Sequence, residues 1–337
     1  MPATIRDVAK RAEVSISTVS RVINNENNVK DATVARVRKA IDECNYIPNA
    51  VAQNLKTDST KIIGFVVSDI SNGFYMIMAK VIESILHEKG YAVILCGTDD
   101  DPQKERSLIM RLQSMRVDGF IINTTENNNE LISNISRTKP VVLVERSTDD
   151  LGFEGSYVGS DNHQGIKLLT EYLISNNHRK IGFINCNRFS TGKNRFAGFK
   201  HTMEAAGLSV DGNYPYIYNS PFFFAEEGWK ACNNLMSLPE PPTALLVANN
   251  TLGIGTLKYL NSHGFSVPDD VSVAVLGSID NSDLFAVNLT YINQNPYAIG
   301  EKAVKSIIDK IESPLTRGRD VIFGSTLIEG KSVKFAE

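Results

Sequence analysis

Paired cysteines and clustered metal ligands are missing from this sequence. The chain of 337 residues has 4 cysteines and 5 histidines. The cysteines lie at 44, 96, 186 and 232 without C-x-x-C spacing, which is typical of reduced thiols rather than of disulfides or zinc ligands. The histidines have neither nucleophile nor metal-ligand spacing around them. We therefore predict no metal and no cofactor.

Long apolar runs are also missing. No stretch of about 18 apolar residues occurs, and the N-terminus has no apolar run that would suit a signal peptide. This pattern predicts a cytoplasmic protein without a membrane partner. The sequence has no nucleophile elbow and no P-loop. Gly253-Ile254-Gly255 is only a fragment of a dinucleotide fingerprint, so we interpret it as close packing within a helix.

Charge is unevenly distributed along the chain. Residues 1–61 have 10 basic and 7 acidic side chains, a net charge of +3, whereas the other 276 residues have 25 and 31, a net charge of −6. This asymmetry is consistent with an N-terminal module that faces a polyanion. The length predicts two or three domains.

Apolar periodicity in the N-terminal region predicts two short helices. Thr4 can cap a helix over 5–11, and about three residues separate this helix from a second one over 15–24. In the second helix Val19 lies on the apolar side, while Ser17 and Arg21 point almost directly away from it. Two helices joined in this way form a helix-turn-helix, although any small helical domain can mimic the pattern.

A third apolar stripe, at Val34, Val37, Ile41 and Cys44, completes a minimal three-helix core. After residue 60 the pattern changes to short apolar runs, each followed by loop residues and mostly by a helical stretch. Such runs indicate parallel strands buried on both faces, arranged in two doubly wound lobes with a cleft between them. The runs are 62–67, 92–95, 119–122, 141–144, 180–184, 244–247 and 271–276.

Several spaced motifs resemble the headpiece and hinge of the lac repressor family of bacterial transcription regulators. They are 4–9, 14–15, 18–24, 46–52 and 55–56. The resemblance implies an α/β protein with a three-helix helix-turn-helix domain followed by a two-lobed domain like periplasmic binding proteins. The implied boundaries are 1–47 for the headpiece, 48–60 for a hinge helix and linker, and 61–337 for effector binding and dimerisation, with one lobe at about 61–160 and 293–321 and the other at about 161–292 and 322–337.

The resemblance also implies which residues contact DNA. Base reading falls to Ile16, Ser17 and Arg21, and the Arg21 guanidinium can bind a guanine through two hydrogen bonds. Ile16 could instead belong to the core. Leu55 would insert between base pairs in the minor groove, although a flexible linker with an incidental leucine is the alternative. The predicted DNA contacts are Thr4, Ile16, Ser17, Thr18, Ser20, Arg21, Asn24, Leu55 and Lys56.

Polar residues after the apolar runs would form an effector site. Carboxylates, amides and an arginine can bind hydroxyl groups, while an aromatic ring can cover the apolar face of a sugar. The resemblance, together with these loops, predicts effector contacts at Asn72, Phe74, Tyr75, Glu145, Arg195, Phe222, Asn249, Asp280 and Gln294.

Some details depart from the family pattern or have a simpler interpretation. Lys30 replaces a usual capping residue, so we expect the third helix to begin one residue late. Glu145 and Arg146 are expected to form a charge pair at the rim of the cleft. Residues 99–101, three aspartates, are expected to form a solvated loop and helix cap. Phe222, Phe223 and Phe224 could equally belong to the core.

These observations predict a sequence-specific transcriptional regulator, a repressor rather than an enzyme. Its expected partners are operator DNA, a second copy of the chain and a sugar-like effector that controls DNA affinity. One alternative is a cytosolic α/β enzyme with an incidental helical N-terminus. Another is a free-standing sugar-binding protein, against which the missing signal peptide argues.

Overall fold

A computed structural model describes residues 3–24, 28–46, 59–279 and 287–337. The chain divides into two compact units, residues 1–60 and 61–337. In the described ranges, no helix is both long enough and apolar enough to cross a membrane. The predictions for Leu55, Lys56 and Asp280 lie outside the described residues.

Within residues 3–24 and 28–46, the first unit has three helices, α1 (Ile5–Arg11), α2 (Ile16–Ile23) and α3 (Asp31–Glu43). Their apolar faces pack together because the valines and alanines recur at helical spacing. The turn between α1 and α2 contains Glu13 in the left-handed region at φ 54°. The buried core of this unit consists of Val8, Ala9, Ala12, Val19, Val22, Val37 and Ala40.

Side-chain caps fix the starts of α1 and α2. Thr4 donates to Asp7 Oδ2 from its backbone nitrogen at 2.8 Å and from its hydroxyl at 2.7 Å, and these bonds lower the pKa of Asp7. Ser15 Oγ accepts from the backbone nitrogen of Thr18 at 3.1 Å. The late start expected for the third helix is wrong. Helix α3 begins at Asp31, with Lys30 at the N-cap position and no side-chain cap.

The second unit consists of two lobes, each built on a six-stranded sheet. In the first lobe, which we call the N lobe, all strands are parallel in the order β11-β5-β4-β3-β1-β2. Its elements are β1 (Ile62–Val67), α4 (Gly73–Glu88), β2 (Ala92–Gly97), α5 (Pro102–Ser114), β3 (Gly119–Ile122), α6 (Asn129–Ser136), β4 (Val141–Val144), β5 (Ser156–Ser160), α11 (Pro296–Glu312) and β11 (Asp320–Phe323).

The second lobe, the C lobe, has the order β12-β10-β9-β8-β6-β7, and among these described strands only β12 pairs antiparallel. Its elements are α7 (Asn162–Ser175), β6 (Ile181–Asn185), α8 (Ser190–Ala205), β7 (Ile217–Asn219), α9 (Ala225–Met236), β8 (Ala244–Val247), α10 (Asn250–Ser262), β9 (Ser272–Leu276), β10 (Thr290–Asn293) and β12 (Thr326–Ile328).

The central strands are buried on both faces, and their registers are regular. Phe65 lies opposite Ile121 on one side and Leu95 on the other. The prediction of burial on both faces is wrong for β2, however, because this strand is at the edge of its sheet and Leu95 is 38% exposed. An edge strand has a neighbouring strand on one side only, so fewer side chains surround it.

The chain passes between the lobes three times: after β5, after β10 and between β11 and β12. The last crossing lies beyond Phe323, two residues later than expected, because β11 pairs with β5 through Phe323 and Ser160. Parallel strands end at the same edge of each sheet, so the loops that follow them face the space between the lobes.

Candidate functional site

The outward face of α2 exposes the side chains predicted to read bases. Ser17 and Arg21 are exposed, and Ile16 is 45% exposed, so Ile16 does not belong to the core. Thr18 and Ser20 are half-buried at the sides of the helix. This surface has the geometry that base contact requires, with the apolar side held inward by Val19 and Val22.

Hydroxyl groups cluster at the start of α2. Ser15 Oγ lies 2.7 Å from Ser17 Oγ and 2.8 Å from Thr18 Oγ1. The same serine caps the helix, so the hydroxyl of Ser17 is held close to the N-terminal end. Thr4 and Asn24, the other predicted contacts described here, are exposed at the start of α1 and the end of α2.

A cleft lies between the two lobes of the second unit, at the carboxyl ends of both sheets. Its empty volume, which includes space open to solvent, is about 530 Å³. Seven of the predicted effector contacts line it, and both lobes contribute to it. The lining residues are Ser68, Asp69, Asn72, Phe74, Tyr75, Asp100, Glu145, Arg146, Thr191, Arg195, Phe223, Phe224, Asn249, Asn250 and Gln294.

Glu145 is a buried carboxylate that binds Ser160, at the first inter-lobe crossing. It follows β4 in the left-handed region at φ 61° and is only 4% exposed. Its Oε1 accepts from the backbone nitrogen of Ser160 at 2.9 Å, and its Oε2 accepts from the Ser160 hydroxyl at 3.1 Å. Gln294 Nε2 donates to the same hydroxyl at 2.8 Å. Burial raises the pKa of Glu145, which Arg195 and Ser160 partly oppose.

Arg195 faces the same cleft from α8, on the C lobe. Its Nε donates to Asn162 Oδ1 at 2.7 Å and its Nη1 donates to the Ala248 carbonyl at 2.9 Å, while the guanidinium lies 5.4 Å from the ring centre of Phe223. Burial lowers the pKa of Arg195 to about 10, although the charge of Glu145 favours the protonated form. The side chain remains charged at neutral pH and is oriented before any ligand arrives.

The predicted rim pair of Glu145 and Arg146 is wrong. Arg146 is 3% exposed and binds Asp100, with Nη1 2.6 Å from Oδ1. The interpretation of residues 99–101 is therefore wrong in part, because Asp100 is buried and ion-paired. Asp101 does cap α5, as expected, and Asp99 is exposed. Burying one charge requires a partner, which sequence spacing alone did not reveal.

Aromatic rings line the cleft from both lobes. Phe74 and Tyr75 are in an edge-to-face arrangement with their centres 5.4 Å apart, and burial raises the pKa of Tyr75 to about 12. On the C lobe, Phe223 and Phe224 line the cleft. Phe222, the predicted contact, is not part of this lining: its ring stacks on Phe224 and lies 4.9 Å from the Arg188 guanidinium.

Amide side chains connect the lobes and begin two helices. Asn72 Oδ1 accepts from the Phe74 backbone nitrogen at 3.0 Å and from Asn250 Nδ2, on the other lobe, at 2.8 Å. Asn249 caps α10 through Thr251 at 2.8 Å. Asn250 and Thr191 also line the cleft, although neither is among the predicted effector contacts. Their position directly after a strand or at a helix start was the available signal.

The glycine fragment that resembles a dinucleotide fingerprint has a structural explanation. Gly255 is within α10, and a Cβ there would lie 1.8 Å from the Ala225 carbonyl oxygen, so glycine permits the close approach of α9. Across the described part of the chain, no three His, Cys, Asp or Glu side chains form a group that could hold a metal.

Comparison with known proteins agrees with this geometry. The family model described as bacterial regulatory proteins, lacI family, matches residues 4–49, and that of a periplasmic binding protein-like domain matches 170–333. The chain is 32% identical to the HTH-type transcriptional repressor PurR of Mannheimia succiniciproducens, over 98% of this chain and 99% of that protein. It therefore belongs to the lacI family of bacterial transcriptional regulators.

Other relatives and solved structures of this family extend the match. PurR of Haemophilus influenzae is 34% identical over 92% of this lacI-family chain and 91% of its own. The lac repressor dimer bound to operator and the anti-inducer ONPF shares the fold, with a TM-score of 0.85 and 23% identity over 99% and 100% of the two chains. The complex of the regulator CelR with cellobiose has a TM-score of 0.72 and 25% identity over 98% and 100%.

Proposed function

We propose that this regulator is a repressor that binds operator DNA as a homodimer and that a small polyhydroxylated molecule in the cleft sets its DNA affinity. One observation supports the effector site most strongly. Glu145 of the N lobe and Arg195 of the C lobe are both buried beside one cleft, yet they do not form an ion pair with each other. A ligand with hydroxyl groups can hydrogen-bond to both at once.

The lining residues favour a sugar or sugar derivative. Acidic and basic groups are both present, so the cleft has no excess of positive charge for a phosphate, and aromatic rings from both lobes can cover an apolar sugar face. The complex of CelR with cellobiose, a similar structure, is consistent with this ligand class. The predicted contacts at Asn72, Phe74, Tyr75, Asn249 and Gln294 belong to this proposal.

DNA recognition is proposed for the exposed face of α2, with Arg21 reading a guanine and Ile16 contacting a thymine methyl group. Thr18 and Ser20 would bind phosphates, which fix the register without reading sequence. The hinge prediction at residues 48–60, with Leu55 as the minor-groove wedge, remains part of the proposal. Replacing Leu55 with alanine should weaken operator binding while effector affinity stays unchanged.

A homodimer is proposed because the N lobe has an apolar surface at its sheet edge. Strand β2 is at the edge of the sheet. Leu95 on it, Ile70 beside its Gly97 and Met110 on the following helix α5 are 38%, 53% and 52% exposed. Apolar patches beside an open strand edge are typical of association surfaces. Two copies would place two α2 helices on the half-sites of one operator.

We also propose that the chain acts in the cytoplasm and has no enzymatic activity. The relatives named above are transcriptional repressors, which favours this interpretation over the dehydrogenase and free binding-protein alternatives. A dehydrogenase assay with sugars and NAD would test the enzyme alternative directly, and turnover would contradict the proposal.

Two measurements test the function together. A thermal-shift screen against sugars, sugar phosphates, sugar acids and purines identifies the effector, because a ligand that binds only the folded state raises its melting temperature. Fluorescence anisotropy with duplexes enriched from a random library then measures DNA binding with and without that compound. A protein that enriches no duplex at low salt, with or without a screened compound, would disprove the proposed function.

A further inference from the structure

The start of helix α8 is capped by a residue of the other lobe. Phe189 is at the N-cap position, and its side chain cannot accept a hydrogen bond. Both carboxylate oxygens of Glu126, in the loop between β3 and α6, lie 3.0 Å from the backbone nitrogen of Ser190. The Ser190 hydroxyl also donates to Glu126 Oε1. The first amide of a C-lobe helix therefore has its acceptor in the N lobe.

Other helices that begin at the cleft are capped within their own lobe. Asn72 caps α4, Asp161 caps α7 and Asn249 caps α10, each through its own side chain. The first amides of a helix need acceptors, and a negative charge at that end is favourable. Helix α8 obtains its acceptor and its negative charge from Glu126, and it does so only while the two lobes are in contact.

Hydrogen bonds from helix α5 and from within the loop fix the loop that carries Glu126. Glu105, which is fully buried on α5, accepts from the Thr125 backbone nitrogen at 2.8 Å and from Asn128 Nδ2 at 2.7 Å. The Glu126 backbone nitrogen donates to Thr124 Oγ1 at 2.9 Å, and Glu126 itself is in the left-handed region at φ 63°. An unfavourable backbone conformation persists where its surroundings fix it.

Helix α8 also carries the effector-facing residues Thr191 and Arg195. Beside its N-terminus, the Arg146 guanidinium of the N lobe lies 3.5 Å from the ring centre of Phe189. We propose that Glu126 is a positioning residue that holds α8 against the N lobe and thereby favours the closed, effector-binding arrangement. Loss of Glu126 lowers the closed fraction, which weakens apparent effector affinity in proportion.

The proposal is tested on the full chain without effector or DNA. Hydrogen exchange of the peptide 186–196 is measured in the wild type and in the Glu126→Gln, Ser190→Ala and Glu130→Gln variants. Glu126→Gln removes the charge at nearly constant volume and leaves one acceptor oxygen, so exchange at the start of α8 should accelerate about tenfold, as expected when a charged acceptor becomes a neutral one. Ser190→Ala should give a smaller acceleration. Glu130, an exposed carboxylate in the first turn of α6, is the matched control and should have no effect.

A second readout separates lobe closure from simple helix capping. Spin labels at Arg106→Cys and Lys193→Cys, exposed positions on the N and C lobes, report the inter-lobe distance once Cys44 and Cys96 are replaced by serine. Glu126→Gln should lengthen or broaden this distance, whereas Glu130→Gln should not. Faster exchange with an unchanged distance would overturn the proposal, and so would unchanged exchange.

The effector role of α8 in this inference rests on the proposed function. Different results would disprove the repressor proposal and the inter-lobe role of Glu126. Neither exchange nor spin-label distance depends on operator or effector binding. A chain that binds no DNA would disprove the repressor proposal and leave these measurements intact. Identical exchange in wild type and Glu126→Gln would remove the inter-lobe role of Glu126 while DNA binding remained.

Discussion

The face of α2 and the inter-lobe cleft differ in how far their polar side chains are buried before a partner binds. On α2, Ser17 and Arg21 are exposed, while the opposite side of the helix packs in the core. In the cleft, Glu145 and Arg195 are buried and already hydrogen-bonded to residues on neighbouring elements. A substitution on the exposed face of α2 should therefore change DNA recognition without changing stability. In the cleft, the same side chain contributes to ligand binding and to stability.

The strongest test of this difference is to remove one partner of the buried ion pair. Asp100→Ala leaves Arg146 buried without its carboxylate and should lower the free energy of unfolding by about 3–5 kcal/mol. Asp99→Ala is the matched control, because Asp99 forms an ion pair with Lys104 in which both side chains are exposed, and such a pair contributes at most about 1 kcal/mol. Chemical denaturation measures both. Equal losses of unfolding free energy in the two variants would contradict the difference between the buried and the exposed ion pair.

Arg195→Ala should abolish the effector response and also destabilise the C lobe. The variant removes the cleft guanidinium and leaves Asn162 Oδ1 and the Ala248 carbonyl without a donor, which costs about 1–3 kcal/mol per buried group. The melting-temperature increase found with the screened effector is the measurement. Lys193→Ala, an exposed change on the same helix, should retain a normal increase. A normal response in Arg195→Ala would place the effector elsewhere.

Arg21→Ala should change DNA discrimination with little effect on folding. Loss of a two-bond guanine contact should cost about 1–3 kcal/mol of selectivity at one base position, while the free energy of unfolding changes by less than about 0.5 kcal/mol. Selection from random duplexes measures the first and denaturation the second. Lys39→Ala, an exposed cation on α3, is the control for general loss of charge. Unchanged selectivity would argue against base reading by Arg21.

The smallest effect expected is a pH dependence from Glu145. Burial raises its pKa above the usual 4.5, so the folded chain binds this proton more readily than the unfolded chain. Its charged form therefore opposes folding above the folded-state pKa, and stability should rise as the pH falls through that value. We expect acidification to raise the melting temperature of the wild type relative to that of Glu145→Gln. Parallel curves for the two proteins would exclude the effect.

Elements with strong local patterns were predictable from the sequence. Buried runs such as 119–122 and 141–144 indicated central strands, and both are buried throughout. Strand β2 has a similar composition but lies at a sheet edge, a difference that depends on strand order and not on local sequence. The helices of the first unit were predictable because valine and alanine recur at helical spacing next to capping residues.

The site was predictable where a residue follows a strand, and less so where partners are distant in sequence. Glu145 and Asn249 occupy such positions and line the cleft. Phe223 lines the cleft and the predicted Phe222 does not. Residues in an irregular segment have no regular periodicity, so the sequence does not indicate which ring of this aromatic run points into the cleft. Glu126 and the pairing of Asp100 with Arg146 depend on tertiary contacts across 64 and 46 residues, which no local pattern encodes.

The last crossing between the lobes has a consequence for synthesis of the chain. Strands β11 and β12 follow one another near the C-terminus, yet β11 completes the edge of one sheet and β12 the edge of the other. Translation that stops before residue 320 would therefore leave both lobes open at an edge, with β5 and β10 uncovered. A single premature stop codon near the end of the message would damage two sheets at once and expose two sites for aggregation.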